Sequence, residues 1–175
     1  MLTKNSRGLY RKQDSLELGR RAEDAFARLA IQRGFKVSAS SEKEDINEHV
    51  DYIIERNGKS KKVDVKSMKR KWRGDEEIQD EFLWIELHSV RKDNKGWLYA
   101  GKADLIAFEL SKSFRLVERL ELMKLIERLV DFEAKVSSSK DALYKVYSRK
   151  NRPDLLTMIK SDDLLGIKYV DWEKR

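Results

Sequence analysis

The stretch HVDYIIERNGKSKKVDVKS, residues 49–67, decides how the rest of the chain is read. Two strand-like runs flank Asn57-Gly58, the dipeptide that best tolerates the positive φ angles of a type I′ hairpin turn. With Asn57 and Gly58 as the central turn residues, Arg56 faces Lys59, Asp51 falls directly opposite Asp64, and His49 opposite Lys66. A bulge in the polar KSKK run would shift this register. Strand side chains alternate, so Val50, Tyr52, Ile54, Val63 and Val65 share one face, and Asp51, Asp64 and Lys66 share the other. The first face is expected to build core and the second a charged site.

Two carboxylates opposed across an antiparallel pair stand about 5 Å apart at Cβ, an arrangement that ordinarily destabilises a hairpin. At an effective dielectric near 20 the repulsion is on the order of 3 kcal/mol. Lys66 offsets part of it, and a divalent cation would offset it better, completed by water and phosphate oxygens. The competing arrangement has both aspartates splayed on the surface and paired with Lys62 and Lys66. Cysteine is absent and His49 and His88 are the only histidines, so a thiolate or histidine zinc site is not expected. A metal here is a hard cation, Mg²⁺ or Mn²⁺. The Asp64-Val-Lys66 triplet has little weight alone. A chain with 31 acids should contain about four acid-x-Lys triplets by chance. The others here, Asp93-Asn-Lys95 and Glu133-Ala-Lys135, lie in a turn-like segment and near a helix end. Only Asp64 has a second aspartate predicted across a hairpin.

Outward from the hairpin, apolar residues at three- and four-residue spacing predict a helix from Asp14 to Arg33, with Asp14 and Glu17 as a capping box and Gly34 as its stop. FKVSAS (35–40) reads as a strand and SEKEDINE (41–48) as a charged loop. FLWIELHS (82–89), ADLIAFEL (103–110) and FRLVER (114–119) read as strands, with a loop-rich stretch around Gly96, Trp97 and Gly101. A second amphipathic helix is predicted from Leu120 to Val136. ALYKVYS (142–148) and LLTMI (155–159) follow as strands around a turn at 151–154, then SDDLL (161–165) as a short capped helix. This order is mixed α/β, without the regular alternation of a βαβ series. Residues 1–175 are expected to form one domain, with a basic arm over 1–13 and a motif-bearing core over 14–70.

Asp51, a 12-residue interval, then Asp64-Val-Lys66 resembles the PD-(D/E)xK nuclease superfamily. Gly19-Arg-Arg-Ala-Glu23 extends the resemblance, because members often carry a glutamate on the helix before the core sheet. Leu18 to Lys69 is most similar to Holliday-junction resolvases and related phage or restriction-type nucleases; Val50 stands where the motif's name has proline. The resemblance implies a restriction-endonuclease-like core, a mixed central sheet with flanking helices, to which the C-terminal strands and helix are additions. It implies Mg²⁺- or Mn²⁺-dependent hydrolysis of phosphodiesters, with Asp51, Asp64 and the Val65 carbonyl as metal ligands. Lys66 would orient or help deprotonate the water, or neutralise the pentavalent intermediate, and Glu23 would hold a second metal or its water. Glu23 also reads as a plain helix-surface residue. A symmetric homodimer acting on branched DNA is a further implication.

A net charge of +7 suits a polyanion partner when it is clustered. Residues 59–73 hold eight Lys or Arg against one Asp. Lys69, Arg70, Lys71 and Arg73 are the expected phosphate contacts. Trp72 reads either as a base-stacking residue or as core at a strand end. Glu86, on one strand face with Trp84 and His88, either approaches the metal or packs in the sheet. Trp97 and Tyr99 read as core, and Lys102 and Asp104 are ambiguous. The expected partner is nucleic acid, DNA ahead of RNA, with no membrane: neither an apolar leader nor an 18-residue apolar run occurs, and a cytoplasmic location is expected. A non-catalytic nucleic-acid-binding module and a domain that meets an acidic protein are the competing readings.

Overall fold

The computed structural model describes residues 4–72, 75–88 and 95–175, with the backbone alone at 4–12 and 44. The chain runs α1 (Lys4–Gln32), β1 (Lys36–Ala39), α2 (Glu42–Glu48), β2 (Tyr52–Arg56), β3 (Lys59–Lys66), β4 (Phe82–His88), α3 (Trp97–Ala100), β5 (Leu105–Glu109), β6 (Ser113–Glu118), α4 (Arg119–Leu129), β7 (Asp131–Val136), β8 (Lys145–Ser148), β9 (Leu155–Lys160) and β10 (Tyr169–Glu173). Short 3-10 turns occupy Ser139–Asp141 and Ser161–Gly166.

Six strands form a mixed central sheet in the order β1-β2-β3-β5-β6-β10, and four form a second sheet, β4-β9-β8-β7. Within the central sheet β3 and β5 are parallel, because the chain leaves β3, lays β4 into the other sheet and returns. Every other pairing there is antiparallel. The helix α1 covers one face of the central sheet. Its Ala22, Phe26 and Ala30 are buried with Ile54, Val63, Val65, Ala107 and Phe114, and the Phe26 ring stacks on Trp172 of β10 with centroids 5.5 Å apart. Burying a side chain such as Phe26 contributes roughly 2–3 kcal/mol. On the opposite face Ile106, Phe108 and Val117 meet Leu83, Ile85 and Leu87 of β4, Leu122 and Ile126 of α4, and Ile159 of β9. The central sheet is therefore buried on both faces. Among the described residues no helix is long and apolar enough to cross a membrane.

The predicted hairpin is present with its predicted register: Arg56 pairs with Lys59, Ile54 with Lys61 and Tyr52 with Val63, and Asn57 and Gly58 have φ of 54° and 71°. The register slips at the other end. The Asp51 N–H bonds the Val63 carbonyl at 2.9 Å, so Asp51 and Tyr52 both answer Val63, as in a β-bulge. His49 has a φ of 52°, and Val50 turns to the opposite face, into the core around Ile106 rather than beside Tyr52 and Ile54. His49 consequently does not pair with Lys66.

Other predicted boundaries change for identifiable reasons. The first helix begins at Lys4, not at a cap on Asp14, so the backbone of the expected basic arm from residue 4 onward is helical; Asp14 instead pairs its carboxylate with Arg70. The charged loop 41–48 contains helix α2. The second helix ends at Leu129, where Val130 takes an extended conformation, and 131–136 is strand β7, paired in parallel with β8. The loop-rich stretch holds the one-turn helix α3, and β10 was not among the predicted strands. Arg73, and Asp93 of the second acid-x-Lys triplet, lie outside the described residues.

Candidate active site

The slip at Asp51 creates the site. Beyond Tyr52 no backbone of β2 faces Val65, and the Asp51 side chain takes its place: Oδ2 accepts the Val65 N–H at 2.6 Å. The Asp51 backbone is held at the same point, its carbonyl accepting the Ser40 N–H at 2.9 Å. Asp64, next on β3, projects to the opposite face of the sheet from Val63 and Val65 and is 3% exposed. That face is the interior between the two sheets, not the open charged face expected from alternation.

Lys66 Nζ lies 2.7 Å from Asp64 Oδ1 and 4.7 Å from the centroid of the Trp97 ring. Asp64 Oδ2 is buried with no hydrogen-bond donor. A buried, half-satisfied carboxylate is costly, and its pKa is raised by burial, against the pull of Lys66. The Asp51 carboxyl is pushed up to about 7, first by burial and then by the charge of Asp64. Glu23 on α1 is likewise pushed up to about 7, by burial and then by Asp51, with Asp45 and Asp24 adding to the effect. The three acids therefore share one electrostatic neighbourhood, with Lys66 as the cation that lowers all three. The arrangement with Asp51 and Asp64 splayed on the surface is not adopted; Lys62 pairs with Glu48 at 3.3 Å, and its N–H bonds Asp104 Oδ2 at 2.8 Å.

The second sheet reaches the same place. The backbone N–H of Trp97 faces Glu86 on β4, whose pKa is raised by burial while Lys66, that N–H and Arg149 pull it back. Gly96 makes this contact sterically feasible, since a Cβ there would stand 2.3 Å from the Glu86 carbonyl oxygen. Arg149, after β8, pairs with the buried Asp154 before β9. In the sequence Trp97 read as core and Asp154 as part of a turn, neither with a functional signal. Glu86 had been weighed, and it lies within the electrostatic reach of Lys66. Only the packing of one sheet on the other unites them.

The basic run divides. Lys69 is exposed overall and forms no ion pair among the described residues, and its amine pKa is lowered by burial and then by the charge of Lys66. Arg70 is bound to Asp14 and, through Nε, to the Glu76 carbonyl at 3.4 Å. Lys71 lies over the Phe82 and Trp72 rings at 3.8 and 4.6 Å. Trp72 packs against the small core of Phe82, Ala142 and Met158, the second of its two expected placements.

Among the described residues no three His, Asp or Glu side chains converge closely enough to hold a metal ion. Two carboxylates suffice for Mg²⁺, which keeps most of its waters. The buried Asp64 Oδ2 without a hydrogen-bond partner, beside the crowded carboxyl of Asp51, fits a divalent cation.

No family model and no curated protein matches the chain. Among solved structures it is similar to a bacterial homing endonuclease, I-Ssp6803I, at a TM-score of 0.44 and 16% identity over 61% of this chain and 70% of that one. A likeness of that size does not assign a function.

Proposed function

We propose that this protein is a Mg²⁺- or Mn²⁺-dependent nuclease that hydrolyses phosphodiester bonds of DNA. The observation that carries the proposal is the buried Asp64, with one oxygen on Lys66 and the other without a donor, next to Asp51 at a break in strand pairing. Carboxylates that repel phosphate add nothing to a pure binding surface, and crowding them away from water is destabilising unless a cation joins them.

Asp51 and Asp64 would hold the cation. The Val65 carbonyl is the backbone ligand that the resemblance implies, and it lies on the strand edge that carries the Val65 N–H, because a strand residue directs both groups to one side. When bound, such an ion polarises a phosphate oxygen and lowers the pKa of water. Lys66, fixed between Asp64 and the Trp97 ring, orients the attacking water or neutralises charge on the phosphorus as the water oxygen bonds to it and the bond to the leaving oxygen breaks. Glu23, with a pKa near 7, is suited to accept a proton from water near neutral pH. The Trp97 ring of α3 holds Lys66 in place, and Glu86 of the second sheet adds a negative charge to its surroundings. Lys69 is the member of the basic run best placed to meet a neighbouring phosphate, whereas Arg70 and Lys71 brace the fold.

The test is cleavage of labelled duplex, single-stranded, flapped and four-way-junction DNA, and of RNA, with Mg²⁺, Mn²⁺ or EDTA, comparing wild type with Asp64→Ala. Cleavage that needs both metal and Asp64 supports the proposal. Binding without cleavage of any substrate replaces it with a non-catalytic binding module. The panel also reads out whether branched DNA is preferred; a homodimer would be tested by sedimentation of the DNA-bound protein.

A further inference from the structure

At the end of the hairpin away from Asp51, a cleft of about 230 Å³ is lined by Leu29, Gln32, Arg33, Arg56 and Arg175. Three guanidinium-bearing residues and one amide line it, and none of its lining side chains is a carboxylate, although Arg175, as the last residue, also carries the main-chain carboxylate. Among the described residues no ion pair joins any of the three arginines to an acid. Two of them are held in position. Arg56 Nη1 donates to the Arg33 carbonyl at 3.1 Å and its guanidinium lies 4.4 Å from the Phe35 ring centroid. The Arg33 guanidinium lies 5.4 Å from the ring centroid of Trp172.

The C-terminus of α1 accounts for part of this, because the carbonyl end of a helix attracts cations. That explains Arg56 on the Arg33 carbonyl. It leaves Arg33 and Arg175 unexplained, since the preceding carbonyls of Leu29, Ala30 and Ile31 are already met by the N–H groups of Arg33, Phe35 and Gly34. Like charges gathered around one cleft with two of them pre-positioned by aromatic rings make an oxyanion receptor, and the planar fork of arginine matches phosphate oxygens.

We propose that this cleft binds a phosphate group. On the function proposed above, its occupant is a backbone phosphate of the bound strand remote from the one cut; that occupant rests on the nuclease reading, while the anion site does not. Arg56 lies five strand residues, roughly 16 Å, from Asp51. Arg33, just past the end of α1, lies ten residues, about 15 Å at helical rise, from Glu23. Projected on a duplex axis, where each strand carries one phosphate per about 3.4 Å, spans of this size cover about four or five phosphates.

Two measurements on the full chain test this. Inorganic phosphate titrated into ¹⁵N-labelled wild type is expected to shift the Nε–H resonances of Arg33 and Arg56 to saturation, while chloride does not; no saturable shift overturns the proposal. Binding of labelled duplex in EDTA is then followed between 50 and 200 mM salt. Replacing Arg33→Gln with Arg56→Gln is expected to weaken binding about tenfold and to reduce the salt slope by about two. Arg128→Gln with Lys135→Gln, exposed positions elsewhere that remove equal charge, is expected to leave the slope unchanged. Equal losses in both pairs, or none in the first, overturn the nucleic-acid occupant. A saturable phosphate shift in a wild type that binds no DNA removes the nuclease reading instead and assigns the cleft to free phosphate.

Discussion

At the Asn57-Gly58 end of the β2–β3 hairpin every requirement is local: two residues accept positive φ, Arg56 faces Lys59, and the side chains stay in water. At the Asp51 end, a few residues away on the same two strands, the pairing slips, Val50 changes face, and two carboxylates are drawn out of water beside a third. The first end is arranged for stability and the second against it. Regions that are electrostatically destabilised without a ligand are where functional groups concentrate, and mutations at the two ends should separate stability from activity in opposite directions.

The largest effect is expected from Asp64→Ala. Cleavage should fall by at least about a thousandfold, the scale of losing a transition-state electrostatic group, with the cooperative thermal transition retained. Full activity in this variant would break the assignment. Asp51→Asn should lose activity similarly, yet in EDTA at pH 8 it should unfold at higher urea than wild type, because the amide still accepts the Val65 N–H without adding charge.

The pH dependence is next in size. Asp51 and Glu23 rise from ordinary carboxylate values of 3.8 and 4.5 to about 7 in the folded state. Below pH 4 both states are largely protonated. Between about 4 and 7 the unfolded chain has released protons that the folded chain keeps, so metal-free stability falls as pH rises, and above 7 the loss is complete. A loss of several kcal/mol, the larger share from the more deeply buried Asp51, is expected from urea unfolding across this window. Mg²⁺ should raise the Tm more at pH 8 than at pH 5. A flat pH profile would mean that the acids are not crowded as described.

Gly58→Ala at the turn should cost about 1 kcal/mol through its positive φ while leaving cleavage per folded molecule intact, the converse of Asp51→Asn. The smallest effects fall in the basic run. Lys69→Gln should lower the salt slope of DNA binding by about one. Arg70→Gln should leave that slope unchanged and lower stability by up to about 1 kcal/mol through its ion pair with Asp14.

Much of the motif-bearing region was legible from short-range rules. Helical spacing around Phe26, the Asn57-Gly58 turn and the alternation in β3 each depend on residues within a few positions, and together they bring Asp51, Asp64 and Lys66 into view. The later chain was less legible. Residues 131–136 continue a plausible helical stripe, and their strand identity depends on β8, which follows them. No local pattern showed that β4 leaves for a second sheet, so none could bring Glu86 into the neighbourhood of Lys66.

By itself the sequence determined the hairpin, its register from the turn to Tyr52, the core-facing side of α1 and the identity of the acids and lysine, because backbone φ preferences and side-chain periodicity act over a few residues. Tertiary structure alone decided that the face bearing Asp64 is interior, that Asp51 substitutes for missing strand backbone, and that Arg33, Arg56 and Arg175 border one cleft. Those outcomes depend on which surfaces cover one another, and burial, desolvation and charge proximity are properties of that covering rather than of any local run of residues.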